Sequence, residues 1–295
     1  MMPVVSIVLP TCDRLHFLRA TVASVFAQTF ADFELIVADD GSADETRSWL
    51  EGQASDPRVR ILWLTHSGSP ARVRNAGIEA ARGEFVAFLD SDDLWEPDKL
   101  RLQVELLRTH TACDWAYCAF TRIDEQGATL AGEATRRWLP CQGDIFAETL
   151  LGRASIRTPC VVARRAAVQA CGGFDPQIAC GEDYDLWLRL ALRSPVALVD
   201  APMVHVRIST DGYSGRWPHV VAWQIKSIEK LQGMAPARWQ PLLQRQRARH
   251  SIALAREYAA RGASGAMFDT LRRSLPFAWR YPETWPGTLK ALLHL

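Results

Sequence analysis

Three carboxylates, Asp90, Asp92 and Asp93, crowd into four consecutive positions directly after the apolar run Phe85-Val86-Ala87-Phe88-Leu89. Like charges at such spacing repel and raise one another's pKa, a cost that a cation can offset. Oxygen ligands suit a hard divalent ion. Mg²⁺ or Mn²⁺ commonly takes one or two protein carboxylates and leaves its other positions to water and phosphate oxygens. The spacing therefore predicts a metal that grips a diphosphate. An isolated D-x-D-D also reads as a turn capping the next helix, so the rest of the chain must decide.

Two further groups of acids stand in comparable places. Asp13 follows Val4–Leu9 and Pro10-Thr11-Cys12, and Asp39-Asp40-Gly41-Ser42 follows Phe33–Ala38. A fourth cluster, Glu182, Asp183 and Asp185, leads into Leu186–Leu192, where the helix dipole alone would favour acids.

The elements that must carry these residues are strands and helices in alternation. Val4–Leu9, Phe33–Ala38, Val59–Leu64, Phe85–Leu89 and Asp114–Phe120 read as strands. Between them lie helical patterns at Leu15–Phe26, from Ser42 (with Glu45, resembling a capping box) to Leu50, Ala71–Ala81 and Pro97–Leu107. Such alternation argues for right-handed βαβ units and an α/β fold with a mainly parallel sheet covered by helices on both faces. Ligands bind such sheets outside the carboxyl ends of the strands, and there the acidic exits fall. Thr158–Ala163 reads as a short strand, Ala166–Ala170 as a short helix, and residues 218–295 as helices interrupted by prolines.

At 295 residues, with 23% charged and 48% apolar, the composition is that of an ordinary soluble enzyme. The formal charge of +1 hides an asymmetry: residues 1–215 sum to −8, whereas residues 216–295 carry 13 Lys+Arg against 4 Asp+Glu and five of the 11 tryptophans. The seven cysteines form no C-x-x-C pair and read as reduced thiols, which points to the cytoplasm. No signal peptide and no run of 18 apolar residues is apparent, so any membrane contact is expected to be peripheral. The absence of G-x-G-x-x-G and G-x-x-x-x-G-K disfavours a dehydrogenase and a P-loop enzyme.

Taken in order, Pro10-Thr11, Asp39-Asp40-Gly41-Ser42, Arg74-Asn75-x-Gly77, Asp90-x-Asp92-Asp93, and Gly173-Phe174-Asp175 followed by Glu182-Asp183 resemble the family 2 glycosyltransferases of the GT-A (Rossmann-like) fold. The likeness spans roughly residues 3–210. It implies a catalytic domain over 1–215, with a nucleotide half to about residue 120 and an acceptor half beyond it, followed by a basic helical extension over 216–295.

The resemblance also implies roles. Pro10, Thr11 and one carboxylate of Asp39 or Asp40 would hold the nucleoside, the carboxylate accepting the N3–H of a uracil or thymine ring, a hydrogen that cytosine lacks. Asp90 would lie beside the donor's ribose, with Ser91 among the residues that bind the nucleotide sugar. Arg74 and Asn75 would face the phosphates or fix the loops around them. Asp92 would be the main ligand of a divalent metal (Mn²⁺ or Mg²⁺), with Asp93 behind it or as an alternative. Asp183 would be the general base of an inverting single displacement, with Glu182, Asp185 and Arg207 on the acceptor side and Trp187 and Arg189 packing their helix.

The implied donor is a nucleoside-diphosphate sugar, UDP-linked, and the acceptor a saccharide or lipid-linked intermediate of cell-surface polysaccharide. One departure stands out. Where the family often has an Arg and, two residues on, a His that helps bind metal or diphosphate, this chain has Arg207 and Ser209, with His205 on the other side. The Arg- and Trp-bearing tail suits a membrane interface at the cell's inner face, and would equally cover the sheet or form a homodimer contact. No nucleic-acid motif accompanies it. The rivals are a sugar nucleotidyltransferase, which usually has a glycine-rich basic loop where this chain has Pro10–Arg14, and a donor-binding scaffold without catalysis, against which Asp92 and Asp183 stand.

Overall fold

The computed structural model describes residues 2–133, 139–208, 219–278, 280–281 and 285–286. Two compact units divide the chain, Met1–Gln177 with Leu186–Thr210, and Ile178–Asp185 with Asp211–Leu295.

Eight strands of the first unit form one sheet: β1 (Val5–Thr11), β2 (Phe33–Asp39), β3 (Val59–Trp63), β4 (Phe85–Phe88), β5 (Leu94–Trp95), β6 (Trp115–Ile123), β7 (Val162–Arg164) and β8 (Val196–Arg207), in the order β3-β2-β1-β4-β7-β6-β8-β5. The helices in chain order are α1 (Leu15–Phe26), α2 (Thr46–Gln53), α3 (Pro70–Ala80), α4 (Lys99–Thr109), α5 (Phe146–Leu150), α6 (Arg165–Ala170) and α7 (Glu182–Arg193), then α8 (His219–Gln232), α9 (Gln240–Ala260) and α10 (Ser264–Ala278) in the second unit. β1 pairs in parallel with β2 on one side and β4 on the other, so the strand order reverses beside β1. That reversal is where a doubly wound sheet opens a crevice for a ligand.

Every residue of β2 and β4 is buried, which requires cover on both faces and explains the apolar runs Leu35–Ala38 and Phe85–Phe88. β7 runs antiparallel to β4 and β6, which makes the sheet mixed. The expected strand Thr158–Ala163 is therefore replaced by a 3-10 turn, Thr158–Cys160, and this short antiparallel strand.

Two helix starts also differ from expectation. α2 begins at Thr46, and the Ser42 hydroxyl is committed to Asp39 instead of closing a capping box with Glu45. α4 begins two residues after Pro97, with Asp98 as its N-cap residue.

In the second unit, Met267 and Leu271 of α10 pack on Ala255 of α9, with Tyr258 beside them. Ser209–Gly215, Trp217 and most of Trp279–Leu295 lie outside the described residues. All seven cysteines are free thiols. Among the described residues no helix is long and apolar enough to cross a membrane.

Candidate active site

The site in the first unit begins where β1 and β2 end side by side, Thr11 in register with Asp39. Asp40 N–H donates to the Thr11 carbonyl at 2.9 Å, locking the two exits together. Thr11 is buried, yet among the described residues its hydroxyl has no hydrogen-bond partner. An unmatched buried hydroxyl costs about 1–3 kcal/mol, a cost a ligand can relieve.

The acids at these exits first organise their own loops. Asp39 accepts the Ser42 hydroxyl and, at 3.1 Å, its N–H. Asp40 Oδ1 accepts the Ser67 N–H and hydroxyl at 2.9 and 3.0 Å, while Oδ2 accepts the Gly68 N–H at 2.9 Å. Asp13, held at a φ of +50°, accepts the N–H groups of Ala43 and Asp44. His66 Nδ1 lies 2.8 Å from the Asp40 carbonyl and 3.8 Å from Cys12 Sγ. Burial, then the charges of Asp13 and Asp40, push the Cys12 thiol up, so it stays protonated at neutral pH.

β4 delivers the second part. Leu89 N–H bonds the Val8 carbonyl, after which the chain turns through Asp90-Ser91-Asp92-Asp93, closed by Asp93 N–H to the Asp90 carbonyl at 3.2 Å. Each carboxylate faces a different arginine-bearing element. Arg74 of α3 donates to Asp90 Oδ1 at 2.6 Å while its guanidinium sits 5.3 Å from the centre of the Phe174 ring. Arg14 meets Asp92 Oδ2 at 2.5 Å. Arg207, at the end of β8, gives its backbone N–H to Asp93 Oδ1 at 2.7 Å. Ser91 is buried, its carbonyl accepting the Thr21 hydroxyl from α1.

Burial, and then the Asp90 charge, raise the Asp92 carboxyl. Burial, then Asp92 and Asp90, raise Asp93 well above the ordinary carboxylate range. The Asp90 and Asp92 side chains remain 28% and 21% exposed. Among the described residues no three His, Cys, Asp or Glu side chains converge to hold a metal by themselves. The all-oxygen donor set, two partly open carboxylates with a third locked behind them, fits a hard cation that draws its other ligands from a diphosphate and water.

The loop from Gly172 to Asp175 closes the site's flank. Asn75 donates from Nδ2 to the Phe174 carbonyl at 2.7 Å and accepts the Phe174 N–H at 2.9 Å, so its amide fastens this loop to α3. Gly173, at a φ of +67°, lies so close that any Cβ there would strike Asn75 Oδ1. The body of α7 is held by Trp187, which stacks on Trp115 at 6.0 Å and meets the rings of Phe88 and Phe174. Arg189 is buried and donates to the Cys171 carbonyl.

The acids opening α7 are assigned to the second unit. Asp183 is half-buried and accepts the Tyr184 N–H at 2.7 Å, and Glu182 is buried. Asp185 is fully buried and paired with Lys230 Nζ of α8 at 3.3 Å, which gives its carboxylate a structural partner in place of an open acceptor face.

Arg207 likewise spends its side chain on the protein. Nε donates to the Asp92 carbonyl and Nη1 to the carbonyls of Asp124 and Glu125. His205 Nε2 lies 2.7 Å from Glu96 Oε1, and Ser209 lies outside the described residues.

Comparison with known proteins matches this arrangement to a family. The model for "Glycosyl transferase family 2" fits residues 6–171, more than half of the chain. An uncharacterized glycosyltransferase of Rickettsia felis is 29% identical over 205 residues, 70% of this chain and 33% of its own, so the chain spans about a third of that relative's length. The Escherichia coli enzyme WfgD, a UDP-Glc:alpha-D-GlcNAc-diphosphoundecaprenol beta-1,3-glucosyltransferase, is 40% identical over 103 residues, covering 35% of this chain and 40% of its own.

Among solved structures, the mannosyltransferase PcManGT of Pyrobaculum calidifontis, in complex with GDP-Man and Mn²⁺, superposes with a TM-score of 0.65 at 17% identity, covering 100% of this chain and 86% of its own. Staphylococcus aureus TarS 1–349 with UDP-GlcNAc gives 0.63 at 16%, covering 97% and 92%. The fold is thus the GT-A fold of these glycosyltransferases, and with the acidic exits of β1, β2 and β4 inside the matched range, the chain belongs to glycosyl transferase family 2.

Proposed function

We propose that this chain transfers a sugar, with inversion, from a UDP-linked donor to a hydroxyl of a saccharide or lipid-linked acceptor in cell-surface polysaccharide synthesis. The observation that carries this reading is the buried, unpartnered Thr11 hydroxyl at the β1/β2 exits, one strand away from the Asp90–Asp93 turn. A nucleoside seated there would satisfy Thr11 and present its N3–H to the Asp39-Asp40 pair. Asp40 Oδ1 already takes two donors, so Oδ2 is that residue's oxygen with capacity left.

The diphosphate then falls toward the turn, where Asp92 would hold a divalent cation, with Asp93 behind it. When bound, such an ion supplies Lewis-acid stabilisation of the charge on the departing nucleoside diphosphate. Asp90, held by Arg74, borders the ribose, while Arg207 and Asn75 keep the turn and the loop at Phe174 in place. Asp183 takes the proton of the acceptor hydroxyl as it attacks the anomeric carbon, a contribution of about 10²- to 10⁴-fold. A single base without an enzyme nucleophile gives one displacement and inversion.

A lipid-linked diphosphate acceptor is named for the WfgD relative. The basic extension over 216–295, net +9, suits an anionic surface carrying an acceptor of that kind. The test is a transfer or donor-hydrolysis assay with Asp183→Asn. Turnover should fall by about 10²- to 10⁴-fold with UDP affinity within twofold of the parent. Unchanged turnover removes Asp183 from the mechanism, and loss of UDP binding shows that it serves the donor.

A further inference from the structure

The Asp92 carboxylate already has a cation on it, supplied by the protein. Arg14 Nη1 lies 2.5 Å from Asp92 Oδ2, and the two residues come from different strand exits. Among the described residues Asp92 is the only partner of the Arg14 guanidinium, whose side chain remains 37% exposed.

The contrast with the site's other arginines is sharp. Arg74 is buried, bonded to Asp90 and seated over Phe174, and Arg207 is spread over three main-chain carbonyls. Those two are anchored, whereas Arg14 is held by one contact at the solvent side.

The backbone that presents Arg14 is nevertheless fixed. Asp13, just before it, is the only non-glycine residue with positive φ among the described residues, and its carboxylate and N–H are tied to Ser42, Ala43 and Asp44. The Arg14 carbonyl accepts the N–H groups of Phe17 and Leu18 at the start of α1. A strained, over-determined backbone beside a loosely tethered charged tip is what an exchangeable contact requires.

We propose that Arg14 is the resident counter-cation of Asp92 in the donor-free protein, and that it leaves this carboxylate for the donor's diphosphate when a divalent cation takes its place. This rests on the reading of Asp92 as a metal ligand. It goes beyond that reading by assigning a positioning role to a residue outside the metal site. The exchange leaves each charge with a partner: the divalent ion replaces the guanidinium on Asp92, and the guanidinium moves to the anionic diphosphate. Without Arg14 the Asp92 carboxylate would lose the guanidinium it contacts, and with a divalent ion on Asp92 the guanidinium would be repelled by that ion and drawn to phosphate oxygens, which it matches as a two-pronged donor. Metal and nucleotide should therefore bind cooperatively, because each alone must separate Arg14 from Asp92 or do without it.

The test is calorimetric titration of the full chain with Mn²⁺ alone, UDP alone, and UDP with Mn²⁺, in the parent, Arg14→Gln and Asp92→Asn. Arg14→Gln should bind Mn²⁺ alone about fivefold more tightly and UDP alone about fivefold less tightly, with cooperativity reduced. Asp92→Asn frees Arg14, so it should bind UDP alone more tightly than the parent although a site residue has been lost. These opposite signs are not what a loosened loop produces. If Arg14→Gln weakens both ligands or changes neither, while the parent still binds UDP more tightly with Mn²⁺, the exchange is overturned and the metal reading stands. If the parent binds UDP equally with and without Mn²⁺, the metal reading fails and the exchange falls with it. Should Arg14→Gln not fold, Asp92→Asn decides alone, and unchanged or weaker UDP binding there overturns the proposal.

Discussion

The backbone N–H of Arg207 donates to Asp93 Oδ1 at 2.7 Å, and the same residue's Nε donates to the Asp92 carbonyl at 2.8 Å. The end of β8 therefore grips the acidic turn from behind, and the stacking of this guanidinium over Phe17, 4.6 Å from the ring centre, draws α1 into the same clamp. Replacing Arg207 with Ala should leave the Asp92 and Asp124 carbonyls without their charged donor and cost about 1–3 kcal/mol. Amide hydrogen exchange over Asp92–Trp95 should accelerate. Lysine should not restore protection, since a single ammonium cannot reproduce the planar fork. Unaltered exchange in that segment would refute the clamp.

At the opposite ends of the strands, Glu34 is buried and accepts the Ser6 hydroxyl at 2.6 Å and the Arg82 N–H, Nε and Nη2 at 2.8, 3.0 and 2.7 Å. Burial by itself would raise this carboxyl, but the hydrogen bonds from Ser6 and Arg82 outweigh it and hold the group below its usual range. Because the folded-state pKa is depressed, the stabilisation is complete above the unfolded value near 4.3 and is lost as pH falls through the folded one. Glu34→Gln should be less stable by about 2–4 kcal/mol at pH 7 in urea. The gap between the two proteins should narrow on acidification below about pH 4. A gap that does not change with pH would show that the charge plays no part.

The places where acids gather were legible because they follow apolar runs whose period is that of buried strands, as at Phe85–Leu89 before Asp90. The partners of those acids were not. Arg14 and Asp92 are 78 residues apart, and Arg207 and Asp93 are 114 apart, so only the sheet's register brings them together. Asp40 meets the main-chain N–H groups of Ser67 and Gly68, and main-chain donors leave no trace in residue type. The expected capping box at Ser42 fails because Asp39, three residues before, competes for the same hydroxyl. The strand expected at Thr158–Ala163 was right in type, but its start and its antiparallel direction were missed because the three residues of β7 carry too little periodicity to fix either.

Lys99 presents a different case, a buried cation that no carboxylate pairs with among the described residues. It is wholly buried, its ammonium lies 4.0 Å from the centre of the Trp95 ring, and among the described residues Nζ has no hydrogen-bond partner. Burial pushes its pKa from an ordinary 10.5 down to about 8. Between these values the unfolded chain binds a proton that the folded protein does not, so stability should rise with pH across that window, by about 3 kcal/mol in all. Lys99→Met should abolish this rise and be more stable than the parent at pH 7 by about 1–3 kcal/mol. Urea titrations of both proteins at pH 7 and pH 9.5 check this, and parallel pH dependences would assign the rise to other groups.

Gly77 sets how closely α3 approaches β1, and through that where Arg74 and Asn75 sit. A Cβ built at Gly77 would overlap Val8 Cγ1, and Val8 is fully buried in the middle of β1. Gly77→Ala gains helix propensity but must push α3 away from the sheet, so the net effect should be a loss of about 1–3 kcal/mol. The displacement would also draw Arg74 from Asp90, to which it is bonded at 2.6 Å, and Asn75 from the Phe174 backbone. Val8→Ala removes the methyl groups that clash and leaves a small void. The double variant should therefore be more stable than the sum of the single losses predicts, with a coupling of about 1 kcal/mol or more. Strict additivity in urea unfolding would mean that the helix relaxes without meeting Val8, and that the glycine is required for some other reason.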